Sequence, residues 1–259
     1  MADRQTLASF YPHRSKLFRF FWPFTHALIT NITVTFGYVF FKLLNKTIVV
    51  GREHVPRGPN TLLMANHQTM IDSFVVGIAA YYPASLIRPQ LIPWNPAAEE
   101  NLYKTRVVGW LADNWKCIPI KRGRKDLSAI RKIGTALRFG PVLLFPEGTR
   151  SRSGAIGDGR GGAGLMILET NPTVVPVCID GMDKVLPIGA SLPRIFKRIY
   201  IRYGKPIDLT EFRGLQRNRE TAVLLMRKIM DSIRSLKQEI EESKQANPPP
   251  TRKRSHGNH

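Results

Sequence analysis

The sequence is poor in cysteine and in acidic residues, and each shortage narrows what the protein can be. Its only cysteines are Cys117 and Cys178, which excludes the disulfide framework of a small secreted protein and a zinc site with four cysteine ligands. Two free cysteines fit a reducing, cytosol-facing compartment. The 19 acidic residues face 39 Lys and Arg, giving a net charge of +20. Such an excess favours an anionic partner: nucleic acid, an acidic membrane surface or a phosphorylated substrate.

The sequence also lacks an uninterrupted apolar run of the roughly 20 residues that a transmembrane helix needs, and no secretory cleavage site is recognisable. Residues 17–44 are densely aromatic, but polar residues and a proline interrupt them: Arg19, Pro23, His26, Asn31 and Lys42. We predict two helices lying in a membrane interface, broken between Pro23 and Asn31, with their rings at headgroup level. A helical hairpin over the protein's own core and a single membrane span are the alternatives.

The remaining sequence alternates between strand-like and helix-like segments. Short apolar runs predict strands at 46–51, 61–65, 117–120, 142–145, 174–179 and 198–204. Helical periodicity marks 72–82, 97–114, 126–139, 163–170 and 221–245. This alternation predicts an α/β fold with a mostly parallel mixed sheet flanked by helices. We therefore divide the chain into a membrane-anchoring segment (1–45), one catalytic domain (46–246) and a disordered basic tail (247–259).

Polar residues follow four of the predicted strands directly. They are the segment 66–72 with His67 and Asp72, the pair Lys121 and Arg122, the loop from Glu147 to Arg150, and Asp180 with Gly181. Ligands of open α/β sheets bind outside the carboxyl ends of the strands. We therefore expect these segments to converge on one edge of the sheet and to form the functional site there.

His67 and Asp72 are candidates for a catalytic pair. On a regular helix, residues five apart point about 140° away from each other. The two side chains can meet only if His67 lies in the turn before a helix and Asp72 in its first turn. A carboxylate would hold the imidazole in one tautomer and raise its basicity, as a general base requires. The alternative is a structural histidine beside an aspartate at a helix start.

The segment from Glu147 through Gly148 and Thr149 to Arg150 begins a loop rich in glycine, serine and arginine. Such a backbone can aim N–H groups at an anion, and an arginine can bind a phosphate with two parallel hydrogen bonds. A Walker sequence is absent, and the glycines at 157–162 follow a polar loop rather than a strand, which argues against a dinucleotide site. An ordinary turn remains an alternative for this loop, as does a solvated surface pair for Lys121 and Arg122.

These segments resemble the motifs of the glycerolipid acyltransferases. NHQTMID at 66–72 resembles their first motif, NHx4D, and FPEGTRSRSG at 145–154 their third. CIPIKR at 117–122 is similar to the second motif and VVPV at 174–177 to the fourth, in the same order. The most similar type is the PlsC-like 1-acyl-sn-glycerol-3-phosphate (lysophosphatidic acid) acyltransferase, whose bacterial members are expected to carry a membrane-seated N-terminal helical pair. The resemblance covers roughly residues 46 to 210.

The resemblance implies a reaction and a role for each motif residue. His67 would deprotonate the sn-2 hydroxyl of lysophosphatidic acid, and Asp72 would orient the imidazole. The acyl group would come from acyl-CoA or acyl-carrier protein without an acyl-enzyme, a cofactor or a metal, and the product would be phosphatidic acid for phospholipid synthesis. Glu147 would orient an arginine or contact the glycerol. Five further residues would bind the acceptor or shape its loop: Lys121, Arg122, Gly148, Thr149 and Arg150.

The sequence departs from the family pattern at two places. Thr69 stands where serine is usual, which keeps the hydroxyl, and Arg160-Gly161-Gly162 stands where a Lys-Gly pair is common. The location implied is the cytoplasmic face of a membrane, with the protein attached as a monotopic or peripheral protein to an anionic surface.

Two other functions compete with this assignment. A related acyltransferase would use glycerol 3-phosphate or another lysophospholipid as acceptor, and the motifs barely separate these substrates. A non-catalytic basic protein would bind a membrane or nucleic acid, and nucleic-acid binding predicts a basic stripe with aromatic platforms for bases. The aromatic residues instead cluster before Leu44, and neither binding role explains His67 and Asp72. We therefore do not expect nucleic acid to be a partner.

Overall fold

A mostly parallel β-sheet forms the centre of the protein. The computed structural model describes residues 4–121, 127–151 and 154–246. The strands in these residues are β1 (Lys46–Val50), β2 (Thr61–Ala65), β3 (Asn95–Ala98), β4 (Cys117–Ile120), β5 (Val142–Leu144), β6 (Thr173–Asp180) and β7 (Arg198–Tyr203). The sheet order is β1-β7-β6-β2-β5. The parallel pair β3 and β4 adjoins β5 through a bridge between Trp94 and Val142.

Strand direction decides which segments share an edge of this sheet. β2 runs parallel to both β5 and β6, whereas β6 and β7 are antiparallel. β2, β5 and β6 therefore end at the same edge, and β7 begins there. The predicted α/β fold with a mostly parallel mixed sheet is confirmed.

Helices cover both faces of the sheet. They are α1 (Arg4–Phe10), α2 (Lys16–Tyr38), α3 (Asp72–Tyr81), α4 (Ala84–Ile87), α5 (Glu99–Leu102), α6 (Arg106–Asn114), α7 (Leu127–Leu137), α8 (Gly161–Thr170), α9 (Met182–Val185) and α10 (Arg219–Ala246). Leu62 and Met64 of β2 belong to the core that includes α7, α8 and α10, and Leu63 and Ala65 belong to the core that includes α3. Because β2 is covered on both faces, its five residues are all buried and apolar or small.

The single helix predicted for 97–114 is wrong. Residues 95–98 form β3 beside β4, and two separate helices, α5 and α6, follow. The hydroxyl of Thr105 accepts a hydrogen bond from the Val108 amide at 3.1 Å and so begins a new helix at Arg106. The NPAA sequence of β3 carries no β-branched or aromatic residue, so its pairing with β4 comes from tertiary context.

The predicted break between Pro23 and Asn31 is also wrong. α2 runs unbroken across Pro23 and continues as a π-helical turn from Val39 to Leu44. Buried residues recur every fourth position on one face of α2: Trp22, His26, Thr30 and Val34. The Trp22 indole donates to the carbonyl of Asp113 at 3.1 Å, and the Thr25 hydroxyl donates to Asn114 at 2.7 Å. These contacts stabilise the helix despite the missing proline donor.

The N-terminal residues also belong to the core. Leu7, Phe10, Tyr11 and Trp22 are almost fully buried in the same cluster as Trp94. The segment predicted to anchor the protein therefore packs against the α/β domain along one side. The predicted tail, 247–259, lies outside the described residues.

A carboxylate holds this segment to the domain. Asp113, at the end of α6, is fully buried. It accepts hydrogen bonds from the Arg14 guanidinium at 2.6 Å and from the Tyr103 hydroxyl at 2.8 Å. A buried carboxylate is stable only with such partners, so Arg14 in the α1–α2 turn is part of the fold.

Candidate active site

His67 and Asp72 meet in the turn between β2 and α3. α3 begins at Asp72, and His67 lies in the preceding turn, five residues earlier, with its Nδ1 at 2.9 Å from Oδ2 of Asp72. Asp72 also accepts hydrogen bonds from the amides of Gln68, at 2.6 Å, and Thr69, at 2.8 Å. The Thr69 hydroxyl donates to its other oxygen at 2.6 Å. These donors compensate for the complete burial of the carboxylate. The predicted meeting of the two side chains is confirmed.

This geometry fixes the tautomer of the neutral imidazole. A carboxylate only accepts hydrogen bonds, so the Nδ1 of neutral His67 carries the proton and Nε2 keeps its lone pair. The side chain is 19% exposed, whereas Asp72 is at 0%. The ring of Phe145 stacks on the imidazole with centroids 4.1 Å apart. The imidazole is therefore held from two sides, in the tautomer that a general base requires.

The hydroxyl of Thr69 is part of this arrangement, and serine is expected to replace threonine there without loss. Replacement of Thr69 by valine keeps the shape but leaves Oδ1 of the buried Asp72 without this donor. We expect Thr69→Val to lower the free energy of unfolding by about 1.5–3 kcal/mol, the range for hydrogen bonds to charged groups, while Thr69→Ser stays near the unmodified protein. Urea unfolding of the three proteins measures the difference; equal midpoints for valine and threonine would contradict it.

Residues of the third motif form hydrogen bonds with both the amide and the carbonyl of His67. Oε1 of Glu147 accepts a hydrogen bond from the His67 amide at 3.1 Å, and the Ser151 amide donates to the His67 carbonyl at 2.8 Å. The second carboxylate oxygen of Glu147 accepts from the Gly157 amide at 3.0 Å. Both Glu147 oxygens therefore bind backbone amides. Glu147 joins the first motif, the third motif and the loop before α8.

The backbone conformation of Gly148 favours glycine, and the Arg160 side chain lies against it. Its φ is +67°, a left-handed conformation that favours glycine, and a Cβ there would lie 2.5 Å from Nε of Arg160. The Arg160 guanidinium also donates to the Glu147 carbonyl at 3.3 Å. Thr149 and Arg150 follow, both exposed. Arg160, which the sequence marked only as a departure from the family pattern, therefore contacts the third motif at Glu147 and Gly148.

Asn66 and Gln68 hold the first motif to β6, a role that sequence reasoning missed. The Asn66 amide group donates to the Ile179 carbonyl at 2.9 Å and accepts from the Ile179 amide at 2.8 Å. Oε1 of Gln68 accepts from the Met182 amide at 3.0 Å. Both side chains are buried. Only their position after a buried strand, where polar residues need partners, pointed to such bonds.

The predicted convergence on one edge is confirmed for the segments after β2, β5 and β6, which these hydrogen bonds join. Lys121 is exposed and directly follows β4. In the order of the strands, β4 lies beyond β5, on the side away from β6. Arg122 lies outside the described residues. Within the described ranges, no group of three or more His, Cys, Asp or Glu residues is arranged to hold a metal ion.

Comparison with known proteins places this arrangement in a family. The acyltransferase family model matches residues 46–180. A chloroplastic 1-acyl-sn-glycerol-3-phosphate acyltransferase of Arabidopsis thaliana is 26% identical over 186 residues, which are 70% of this chain and 46% of the relative. The chain thus spans less than half of that relative. A 1-acyl-sn-glycerol-3-phosphate acyltransferase of Borreliella burgdorferi is 29% identical over 182 residues, covering 69% of this chain and 68% of the relative.

A solved structure shares the fold. PlsC of Thermotoga maritima, a 1-acyl-sn-glycerophosphate acyltransferase, superposes with a TM-score of 0.58 at 23% identity, covering 79% of each chain. The family model spans more than half of the chain and includes His67, Asp72 and the loop from Glu147 to Arg150. The chain belongs to the acyltransferase family.

Proposed function

We propose that the protein transfers a fatty acyl group from acyl-CoA or acyl-carrier protein to the sn-2 hydroxyl of lysophosphatidic acid, forming phosphatidic acid. The observation that carries the proposal is the bond from His67 Nδ1 to the buried Asp72, at 2.9 Å, within a family whose relatives named above are 1-acyl-sn-glycerol-3-phosphate acyltransferases.

The His67 imidazole would act directly on the acceptor. Nε2 takes the proton of the sn-2 hydroxyl as the oxygen attacks the thioester carbonyl, and Asp72 stabilises the imidazolium that forms. The tetrahedral intermediate then collapses, the carbon–sulfur bond breaks, and the imidazolium returns the proton to the leaving thiolate. The ester and a free thiol are the products.

The cysteines support direct transfer rather than an acyl-enzyme. Burial raises the pKa of the Cys117 and Cys178 thiols to about 12. Neither thiol therefore forms the thiolate that a cysteine nucleophile requires near neutral pH.

The cations around the third motif would bind the phosphate of the acceptor. Arg150, two residues after Gly148, is exposed, and the Arg160 side chain packs against the same glycine. Lys121 and Arg122 are assigned to the same role by their motif, with Thr149 shaping the loop. The role of Glu147 is then to hold this loop against His67 through the two backbone amides.

Replacement of Arg150 by alanine is expected to raise the KM for lysophosphatidic acid about tenfold or more, since a hydrogen bond to a charged group contributes about 1.5–3 kcal/mol. Arg150→Lys keeps the charge but loses the geometry that makes two parallel hydrogen bonds. Its KM should lie between those of the unmodified protein and Arg150→Ala. Arg217→Ala is the matched control, because Arg217 is exposed in the turn before α10. Steady-state kinetics with one acyl thioester gives the values. An unchanged KM in Arg150→Ala would remove Arg150 from the phosphate site.

An acceptor panel tests the proposed function itself. Purified protein is given one labelled acyl thioester with oleoyl-lysophosphatidate, glycerol 3-phosphate or a zwitterionic lysophospholipid. We expect labelled phosphatidic acid as the main product. A preference for another acceptor would support the related acyltransferase instead, and absence of transfer to all of them would refute the proposal.

Membrane attachment is the second part of the proposal, and α2 supports it. Its outer face exposes apolar residues along its length: Leu17, Phe21, Phe24, Leu28 and Phe36. Leu43, in the π-helical turn that continues α2, is exposed as well. The segment Lys16–Leu44 is long and apolar enough to cross a membrane. Its other face, however, packs on the domain through Trp22, His26 and Thr30, which favours a helix lying in the interface over a span. The two free cysteines support a location on the cytoplasmic face.

A further inference from the structure

A second exposed apolar segment lies between α9 and β7. We call residues 186–197 the β6–β7 loop. Every residue from Ser191 to Phe196 is exposed, and the side chains of Leu192 and Phe196 are 80% and 81% exposed. The φ of Phe196 is +59°, a conformation that is a rare outlier for a bulky residue. Exposed apolar residues grouped in this way mark interaction surfaces.

The β6–β7 loop is joined to the end of the π-helical turn that continues α2. The Phe196 amide donates to the carbonyl of Leu44 at 2.8 Å, and the Lys197 amide donates to the side chain of Asn45 at 2.9 Å. Leu43 and Leu44 are exposed at this end of the helix. The apolar residues of the loop therefore continue the apolar face of α2.

The same loop borders the active site. It follows α9, whose first residue, Met182, donates its backbone amide to Gln68 of the first motif at 3.0 Å. It leads into β7, which begins with Arg198 at the edge where β6 ends. Met70, between His67 and α3, is 60% exposed. Exposed apolar residues of the turn before β1, of the loop and of the first motif thus lie at the same edge of the sheet as His67.

Charge identifies the partner of this surface. The loop and its flanks carry four cations and one carboxylate: Lys184, Arg194, Lys197 and Arg198 against Asp183. A second copy of this chain would bring a further net charge of +20, which disfavours association through a basic patch. Apolar side chains surrounded by lysine and arginine fit the interface of a bilayer with anionic headgroups.

We propose that the β6–β7 loop inserts Leu192 and Phe196 into an anionic bilayer beside the end of α2, so that the His67 site opens toward the lipid surface. The lipid contact stands independently of the reaction. Its consequence, that a lysophospholipid acceptor enters the site from the membrane, rests on the proposed function.

A fluorophore on the loop tests the lipid contact. Leu192→Cys is labelled with a polarity-sensitive dye, with Gln216→Cys, an exposed position in the turn before α10, as matched control. The labelled full-length proteins are mixed with vesicles of phosphatidylcholine and phosphatidylglycerol in equal amounts. We expect a blue shift and quenching by nitroxide lipids for position 192 and neither for position 216. An unshifted dye at 192 on protein that floats with the vesicles would overturn the proposal.

A loop variant separates lipid delivery from catalysis. In Leu192→Ser with Phe196→Ser, we expect about tenfold lower transfer to a lysophosphatidate held in vesicles, because two apolar side chains no longer enter the lipid. Transfer to a short-chain acceptor dissolved in water should be unchanged, and Leu215→Ser, exposed elsewhere, should behave as unmodified protein. Equal losses on both acceptors would overturn substrate delivery by the loop. If the unmodified protein transferred no acyl group, the proposed function would fail while the fluorescence result stood.

Discussion

Replacement of His67 by alanine is expected to lower the turnover of lysophosphatidic acid by about 10²–10⁴-fold, the usual contribution of a general base. The Nδ1 of His67 is bound to Asp72 at 2.9 Å, which leaves Nε2 for the acceptor hydroxyl. Asp72 keeps its bonds from Gln68 and Thr69 in the variant, so the fold should persist. Initial rates of acyl transfer, together with thermal unfolding, give both quantities.

His54 supplies the control for this substitution. It is also a partly buried histidine, with its Nδ1 at 3.2 Å from the carbonyl of Tyr203, but it follows β1 at the opposite edge of the sheet. His54→Ala should keep the turnover of the unmodified protein. A His67→Ala variant with near-normal rates would refute the mechanism, whatever the control shows.

Replacement of Asp72 by asparagine should lower both turnover and stability. One oxygen becomes an NH2 group, which cannot accept the hydrogen bonds that the carboxylate accepts. Where a triad aspartate becomes asparagine, the histidine takes the wrong tautomer and turnover falls by about 10⁴-fold. We expect a loss of about 10³–10⁴-fold here. The free energy of unfolding should fall by about 1–3 kcal/mol, because a buried donor loses its acceptor.

The two substitutions together separate catalysis from structure. His67→Ala should lose turnover alone, whereas Asp72→Asn should lose turnover and shift the urea midpoint. An Asp72→Asn variant that was less stable but fully active would show that Asp72 only caps α3, which is the structural alternative that the sequence left open.

The sequence predicted the parts of this site that depend on local order along the chain. β2 and β6 are recognisable as apolar runs, and the rule that ligands gather at strand ends located His67, Asp72 and Glu147 together. The contact between His67 and Asp72 followed from helix geometry, because only one placement of the two residues allows it.

The partners of Glu147 could not be predicted in the same way. Its carboxylate binds the backbone amide of a residue 80 positions earlier in the chain, and backbone amides are the same for every residue type. The same reason hid the bonds from Asn66 to Ile179 and from Gln68 to Met182. The continuity of α2 across Pro23 also depends on tertiary contacts, here with Asp113 and Asn114 at the end of α6.

The burial of the N-terminal segment has a practical consequence for preparing the protein. Deleting the residues before Lys46 would be the obvious way to remove a sticky, aromatic-rich helix. It would also remove Phe10 and Trp22, which pack against Trp94. Their ring centroids lie 5.0 and 5.9 Å, respectively, from that of Trp94. Asp113 would lose Arg14 at the same time. We therefore expect a shortened protein to aggregate, so detergents or lipid nanodiscs are the better route to a monodisperse sample.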